Sequence, residues 1–484
     1  MKKLKNYSLT LISCLSLFAA TATFAEQPPP HFLSLRDAIM LALRFNPNIA
    51  NAELDRITQK YELRVAEHDF EWQPGLTGAA NYSRQHTPFG TTTNETYDIT
   101  PSASKKNSIG TDLTISMPNT YSGGSGNSND YNPELALEVK QPLLRGFGRR
   151  VNLAPLENAY DTELQNKLDL QDTVIRQILS VIQDYRVLVT DNNNLQTAKE
   201  SLQSTIKREH DTAAQIRAGR LPRTEIVEQQ AQIASLRLGV TQAIDTQSQD
   251  KHKLLADIGL DPDYPINVPN DVSMPLAKLP KLDETIDYAL KHNLPYVKFL
   301  IEFRKIKRDL YIAKDNLRWQ LDLDAAVTTG TTADIDPGIS KLTTGRINGQ
   351  TVGLKLTVPI DNLSLKSQLA AATVSYQKTQ INIADQQRQL RTAIKDSLIN
   401  IASLIEQVKI SEEQVKLNQR SYELEVKKQQ AGKAASLDVS VAQDKWIQSK
   451  RTLISAKISY LDAVTSLDAT LARTLEIWGI KIRY

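Results

Sequence analysis

The sequence predicts an α plus membrane β-barrel protein, built from a tandem-duplicated unit of helix, strand, strand and helical hairpin. Three observations predict it. Apolar residues recur at intervals of three, four and seven along Val174, Ile178, Val181, Tyr185, Leu188, Leu195, Leu202, Ala213 and Ile216, which is a coiled-coil seam. The pattern repeats: Gly432 lies 213 residues after Gly219, and the same offset maps Val181, Leu188, Leu195 and Leu202 onto Ile394, Ile401, Val408 and Val415. Between the helical stretches lie short segments in which apolar and polar residues alternate, the period of a strand.

The chain opens with Lys2, Lys3 and Lys5, an apolar run from Leu9 to Ala22, and Thr23-Phe24-Ala25. This reads as a signal peptide over residues 1–25, with cleavage before Glu26. Cys14 is the only cysteine. Leu11-Ile12-Ser13-Cys14 loosely resembles a lipoprotein cleavage box, but the apolar run continues past it, so ordinary cleavage and a cysteine-free mature chain are expected. The formal charge of +3 resides in the three lysines of the signal, and removing it leaves 55 basic and 55 acidic residues. Such a balance is not built around a phosphate backbone, so no nucleic-acid partner is expected.

The first repeat spans 26–258. Ser34, with Asp37 three residues on, caps a short helix that Pro47 interrupts near Asn46; a longer helix runs to about Glu71. Pro74-Gly75 ends it. Leu76, Gly78, Ala80 and Tyr82 then alternate with polar or small residues, a strand near 75–86. A polar, threonine-rich stretch follows, then alternation at 107–117 and, after a Gly/Ser/Asn loop, at 133–142. A helix from about Asn152 leads into the first hairpin, whose tip is 218–222. Gly219 can take the left-handed conformation that ends one helix, and Pro222 suits the start of the next.

Five prolines between Gly259 and Lys281 mark an extended connector, 259–281. The second repeat, 282–484, matches the first at an offset of 247 that pairs Leu35 with Leu282, Ile39 with Ile286, Asn46 with Asn293 and Trp72 with Trp319. It carries strands near 321–330 and 350–359 and a hairpin with its tip at 431–435. Trp72 and Trp319, just before the strands, read either as core packing or as interfacial anchors.

Strands of about ten residues with one apolar face fit a transmembrane barrel, and a half-buried soluble sheet is the alternative. A chain that leaves and re-enters one side of a membrane crosses it an even number of times. Of the five strand-like segments, 107–117 is therefore assigned to an external loop. Four strands cannot close a barrel, so oligomerisation is required; three chains would give twelve strands.

Together these residues resemble the TolC-like outer-membrane efflux proteins. The most specific matches are Gln141-Pro142-Leu143-Leu144-Arg145-Gly146-Phe147-Gly148 at a strand-to-helix junction, and Ala431-Gly432 followed by Leu437-Asp438-Val439 and Ala442-Gln443. The resemblance implies a homotrimer in the outer membrane of a Gram-negative bacterium, with a twelve-stranded barrel continuing as a long α-helical tunnel through the periplasm. Pro142, Gly146, Gly148 and Pro359 then mark strand–helix junctions. The implied partners are outer-membrane lipid, a periplasmic adaptor (membrane fusion) protein, and an inner-membrane pump or ABC exporter. The adaptor would meet the tips, Gly219, Arg220 and Leu221, and Gly432 and Lys433. Some members close the tunnel with two aspartates three residues apart. Asp438 matches the first, whereas Val441 stands at the second. Glu225 and Gln429 occupy the acidic and tyrosine positions of hairpin links, and Ala434 replaces an arginine.

No catalytic, cofactor or metal site is expected. The six histidines lack metal-ligand spacing such as HExxH, and Gly123-Gly124-Ser125-Gly126 lacks the Gly-x-Ser-x-Gly spacing. Two functions remain: a passive exit duct of a tripartite efflux or type I secretion system, or a non-conducting trimeric coiled coil that bridges the envelope.

Overall fold

The computed structural model describes residues 32–88, 90–125, 127–219, 223–271, 274, 279–330, 349–431 and 433–482. The predicted signal peptide lies outside the described residues. The first repeat begins with α1 (Leu35–Phe45) and α2 (Pro47–His68). Ser34 caps α1: its Oγ accepts from the Asp37 N–H at 3.2 Å, while Asp37 reaches back to the Ser34 N–H. Asn46 ends α1 and caps α2, its Oδ1 accepting from Asn48 N–H at 2.8 Å. The predicted break is therefore a cap-to-cap junction, with Pro47 at the position where a missing N–H costs nothing. The second repeat does the same with α6 (Leu282–His292), Asn293 and α7 (Leu294–Asn316).

The hairpins are long. After the one-turn α3 (Arg149–Asn152), α4 runs over Ala154–Arg217 and returns as α5 (Thr224–Ile258). In the second repeat α8 (Leu363–Gln430) returns as α9 (Ser436–Thr470), followed by the short α10 (Thr474–Trp478). At 1.5 Å per residue α4 and α8 are each on the order of 100 Å long. The predicted seam is the buried one. Val181, Leu188 and Leu195, and their repeat counterparts Ile394, Ile401 and Val408, are all buried; Val181 and Leu188 belong to one apolar core, and Ile394, Ile401 and Val408 to a second. Gly259 ends α5 in the left-handed conformation. The connector then lies along α4, where Asn192 and Asn193 donate to the Val268 and Asn270 carbonyls, each at 2.9 Å.

The sheet departs from expectation. It contains β1 (Gln73–Thr87), β2 (Gly90–Lys106), β3 (Asp112–Ser116), β4 (Asn119–Gly124), β5 (Asn127–Pro142), β6 (Gln320–Gly330) and β7 (Gly349–Thr357), all antiparallel in the order β1-β2-β3-β5-β6-β7. β4 also lies between β2 and β5, beyond β3. Across Met117-Pro118 the ladder continues, with Met117 N–H donating to the Pro101 carbonyl and Glu134 N–H to the Pro118 carbonyl, each at 2.9 Å. β3 and β4 therefore fill one lane.

Among the described residues the chain thus presents six lanes rather than four strands, and residues 112–116 sit inside the sheet rather than in an external loop. β3 remains in the sheet and the crossings stay even, because the additional lane is β2, the threonine-rich stretch. Its apolar residues are few and Pro101 interrupts it, so alternation is faint; the ladder to β1 and the β-branched threonines make it a strand.

Registry sorts the two faces of the sheet, with Arg84, Glu95 and Lys105 as charged exceptions on the apolar one. One carries Leu76, Tyr82, Tyr97, Ile99, Leu113, Ile115, Leu135, Leu137, Val139, Leu323, Val327, Val352 and Leu354; the other carries Thr77, Asn81, Asp98, Thr100, Thr114, Glu138, Lys140, Asp324 and Lys355. The exposed apolar side chains on the first face, such as Leu76 at 73%, Val352 at 77% and Leu354 at 67%, form a continuous patch. Tyr97 pairs with Tyr121, and Tyr121 with Tyr131, making a tyrosine row at one end. Trp72 and Trp319 stand at the other end, 43% and 57% exposed, which excludes core packing within the single chain. Ten residues separate Trp72 from Tyr82. At ~3.3 Å per residue and a tilt of about 40° they span roughly 25 Å, the height of the apolar band of an outer-membrane barrel.

Candidate functional site

At the strand-to-helix junction, Gly146 and Gly148 have φ of +82° and +102°. Such backbone favours glycine, and it turns the chain out of β5 into α3. Leu143 N–H donates to the Leu321 carbonyl at 2.6 Å, and Gly146 N–H to Asp315 Oδ2 at 2.7 Å. Asn152 Nδ2 donates to the Gly146 carbonyl at 2.7 Å and to that of Gly148 at 3.0 Å. Pro142 and Pro359 mark the ends of β5 and β7, so all four predicted junction residues lie where strands become helices.

At the other end of the helices, Gly219 adopts φ +71° and closes α4, its N–H donating to the Ile216 carbonyl at 3.0 Å. Arg220, Leu221 and Gly432 lie outside the described residues. Lys433 is exposed, and its N–H donates to the Lys428 carbonyl at 2.8 Å. Asp438 is exposed on the first turn of α9 and accepts from the Ala435 N–H at 3.1 Å, a capping contact. Glu225, on the first turn of α5, accepts from the Ser436 N–H at 3.4 Å. Gln429 Nε2 donates to Ser436 Oγ at 3.0 Å, and Gln229 Nε2 does so at 2.9 Å.

Glu225 and Gln429 are therefore brought together, through a residue the sequence reading passed over. Ser436 is buried and takes contacts from both hairpins; the one signal was its place at the start of a helix.

A second tie, also unread from sequence, lies higher. Arg208 of α4 donates through Nη1 to Tyr422 Oη of α8 at 2.9 Å, through Nη2 to Thr205 Oγ1 at 2.9 Å, and to Gln443 of α9. Gln443 in turn donates to Ser201 Oγ at 3.0 Å. Tyr422 stacks on Trp446 with ring centroids 5.3 Å apart, and Lys450 Nζ lies 4.1 Å from the Trp446 centroid.

Between α4 and α5, carboxylates meet in pairs. Asp184 binds Lys253 at 2.8 Å, and its pKa is raised, chiefly by burial and then by Asp257 against the opposing lysine. One heptad on, burial and a hydrogen bond with Asp250 push Asp191 up to about 7.

Residues 312–473 match the model of the outer membrane efflux protein family. A comparison with curated protein sequences finds no match. Solved structures share the fold over nearly the whole chain. The outer membrane protein VceC of Vibrio cholerae is 16% identical with a TM-score of 0.66, covering 93% of this chain and 97% of its own. The CmeC outer membrane channel of Campylobacter jejuni is 13% identical with a TM-score of 0.64, covering 93% and 90%. The MtrE outer membrane channel of Neisseria gonorrhoeae, in its open state, is 16% identical with a TM-score of 0.63, covering 90% and 88%. The outer membrane efflux segment begins in α7 and takes in β6, β7 and the second hairpin, including Gln429 and Asp438.

Proposed function

We propose that this chain is the outer-membrane exit duct of a tripartite efflux or type I secretion system. Three copies conduct substrate passively from an inner-membrane pump through the periplasm to the exterior. The observation that carries the reading is the joining of two surfaces in one chain. A sheet with an apolar band roughly 25 Å tall and a polar opposite face continues directly into helices on the order of 100 Å long. The described helices include none long and apolar enough to cross a membrane.

In this reading Gly219, Arg220, Leu221, Gly432 and Lys433 present the tips to a periplasmic adaptor. Asp438, Glu225 and Gln429 stand at the constriction, three copies of Asp438 forming a carboxylate ring that attracts cations. The ring coexists with the capping contact, because a carboxylate that accepts one N–H keeps its charge. The competing reading, a non-conducting trimeric coiled coil, gives no reason for the polar face of the sheet, where Asp98, Glu138, Lys140 and Lys355 line one side.

Planar-bilayer recording on purified trimers tests the choice. Discrete conductance steps are expected, growing when the tips are loosened. Trimers that insert and never conduct, loosened or not, leave the coiled-coil bridge.

A further inference from the structure

We infer that the barrel wall contains six lanes per protomer and closes as eighteen lanes in the trimer, so that the exit through the membrane is as wide as the helical tunnel beneath it. This inference rests on the duct reading for its copy number. The two lanes in question, β2 and β3/β4, form a hairpin inserted between β1 and β5. Neither of its strands leads into a helix, whereas β1, β5, β6 and β7 each join one.

Three observations place the inserted hairpin in the wall. The first is the face pattern. Across β2, Tyr97, Ile99, Pro101 and Ala103 share a face with Leu76 of β1, flanked on that face by Glu95 at one end and Lys105 at the other, and Leu113 and Ile115 of β3 share it with Leu137 and Val139 of β5. On the opposite face stand Asp98, Thr100, Ser102, Asp112, Thr114 and Ser116. An external loop needs no such alternation, and a wall strand between lipid and water requires it. The second is the aromatic row. Tyr97 and Tyr121, both on the inserted hairpin, are in register with each other and, through Tyr121, with Tyr131 of β5; the Tyr97 and Tyr121 ring centroids lie 6.0 Å apart. The hairpin meets the band edge at the same height as its neighbour.

The third is its base. The turn between β2 and β3 is locked to the junction, with Gly148 N–H donating to the Ile109 carbonyl at 3.0 Å. Gly110 has φ +96°, and a Cβ there would lie 2.6 Å from Asn152 Nδ2 and 2.8 Å from the Gly146 carbonyl. The same glycines that turn β5 into the helix thus seat the inserted turn.

Widths agree. Six lanes spaced ~4.8 Å and tilted about 40° occupy roughly 38 Å of barrel wall. Four helices packed 8–10 Å apart occupy roughly 32–40 Å of tunnel wall, and α2, α4, α7 and α8 pack side by side below the sheet. Four lanes would cover only about 25 Å by the same spacing and tilt. Closure joins the two edges left unpaired among the described strands, β1 of one copy to β7 of the next; an open edge is not tolerated in hydrocarbon. Eighteen lanes give a wall about 36 Å across, against about 24 Å for twelve.

Site-directed spin labelling in liposomes tests this. Single cysteines are placed at Ile99, Thr100, Thr114 and Ile115, with Leu354 and Lys355 as references in β7, and the copy number of the same preparation is read by native mass spectrometry. The expected result is high oxygen contact at Ile99, Ile115 and Leu354, high contact with a water-soluble nickel reagent at Thr100, Thr114 and Lys355, and three copies. Water contact at all four β2 and β3 positions, with alternation kept in β7, would take the hairpin out of the wall and overturn the inference. A copy number other than three would overturn the eighteen lanes. Bilayer recording separates the two readings: conducting trimers without alternation in β2 and β3 defeat only the wide barrel. Alternation in trimers that never conduct defeats only the duct.

Discussion

Arg208 offers the sharpest test of how the hairpins are held together. Its guanidinium makes two contacts that cross between hairpins, to Tyr422 and Gln443, and two within its own helix, to Ser204 and Thr205. A hydrogen bond to a charged donor contributes about 1.5–3 kcal/mol when both groups are shielded. Arg208 is only partly buried, so water replaces part of that, and about 1.5 kcal/mol per protomer is a fair figure for the two crossing bonds together. Gln443 is buried but keeps its bond to Ser201, which limits the further loss. If three copies open together the sum is about 4–5 kcal/mol, on the order of a thousandfold in the open-to-closed ratio. Arg208→Ala should therefore raise the open probability of single channels in planar bilayers sharply. Arg208→Lys should do so partially, because an ammonium lacks the fork that reaches two acceptors. Tyr422→Phe combined with Arg208→Ala should cost less than the sum of the two, since they share the Arg208–Tyr422 bond and only the Ser204–Tyr422 contact is lost in addition. An open probability within twofold of wild type for Arg208→Ala, or full additivity of the pair, would show that this knot does not restrain the hairpins.

Three other outcomes are expected. Gly219→Val strains a φ of +71° where a new Cβ meets no neighbour within 4 Å, so the cost is backbone alone, roughly 1–2 kcal/mol; trimers should still reach the membrane while export is lost, and normal export refutes the tip assignment. Asp438→Asn keeps an acceptor for the Ala435 N–H but removes the ring charge, so cation selectivity and trivalent-cation block should fall with little change in melting temperature; unchanged selectivity leaves only the cap. Asp191 holds its proton up to about pH 7 when folded, against about 4 in an unfolded chain. Its contribution to stability is thus full below about pH 4 and lost as pH rises towards 7. Asp191→Asn should melt higher than wild type at pH 8 and lose that advantage by pH 5, and a pH-independent difference refutes the shared-proton pair.

What the sequence made legible is what depends on local pattern. The heptad seams, the Ser34 cap, the helix break near Asn46 and the Gly219 turn each follow from a few adjacent residues, and each stands where those residues put it. The contacts between hairpins are different. Arg208, Ser436 and Gln443 lie far apart in sequence from Tyr422, Glu225 and Ser201, and nothing in the local period of a helix says that their faces meet. A serine at the start of a helix reads as part of a cap, and only the packing of α5 against α9 turns it into an acceptor shared by Gln229 and Gln429.

The missed strand shows the same limit in a sheet. A lane of a membrane barrel satisfies lipid with one face and water with the other, so the demand on each strand is weak and polar residues make up half of it. In β2 the apolar face is carried by Tyr97, Ile99, Pro101 and Ala103, too few for alternation to rise above the run of Thr91, Thr92, Thr93 and Thr96. Its partners supply the missing information. Leu76 against Pro101 and Ile115 against Ala103 complete an apolar surface that no single strand displays. The face of a barrel strand is a property of the lanes beside it, and for that reason a parity count made strand by strand removed β3 when it needed to add β2.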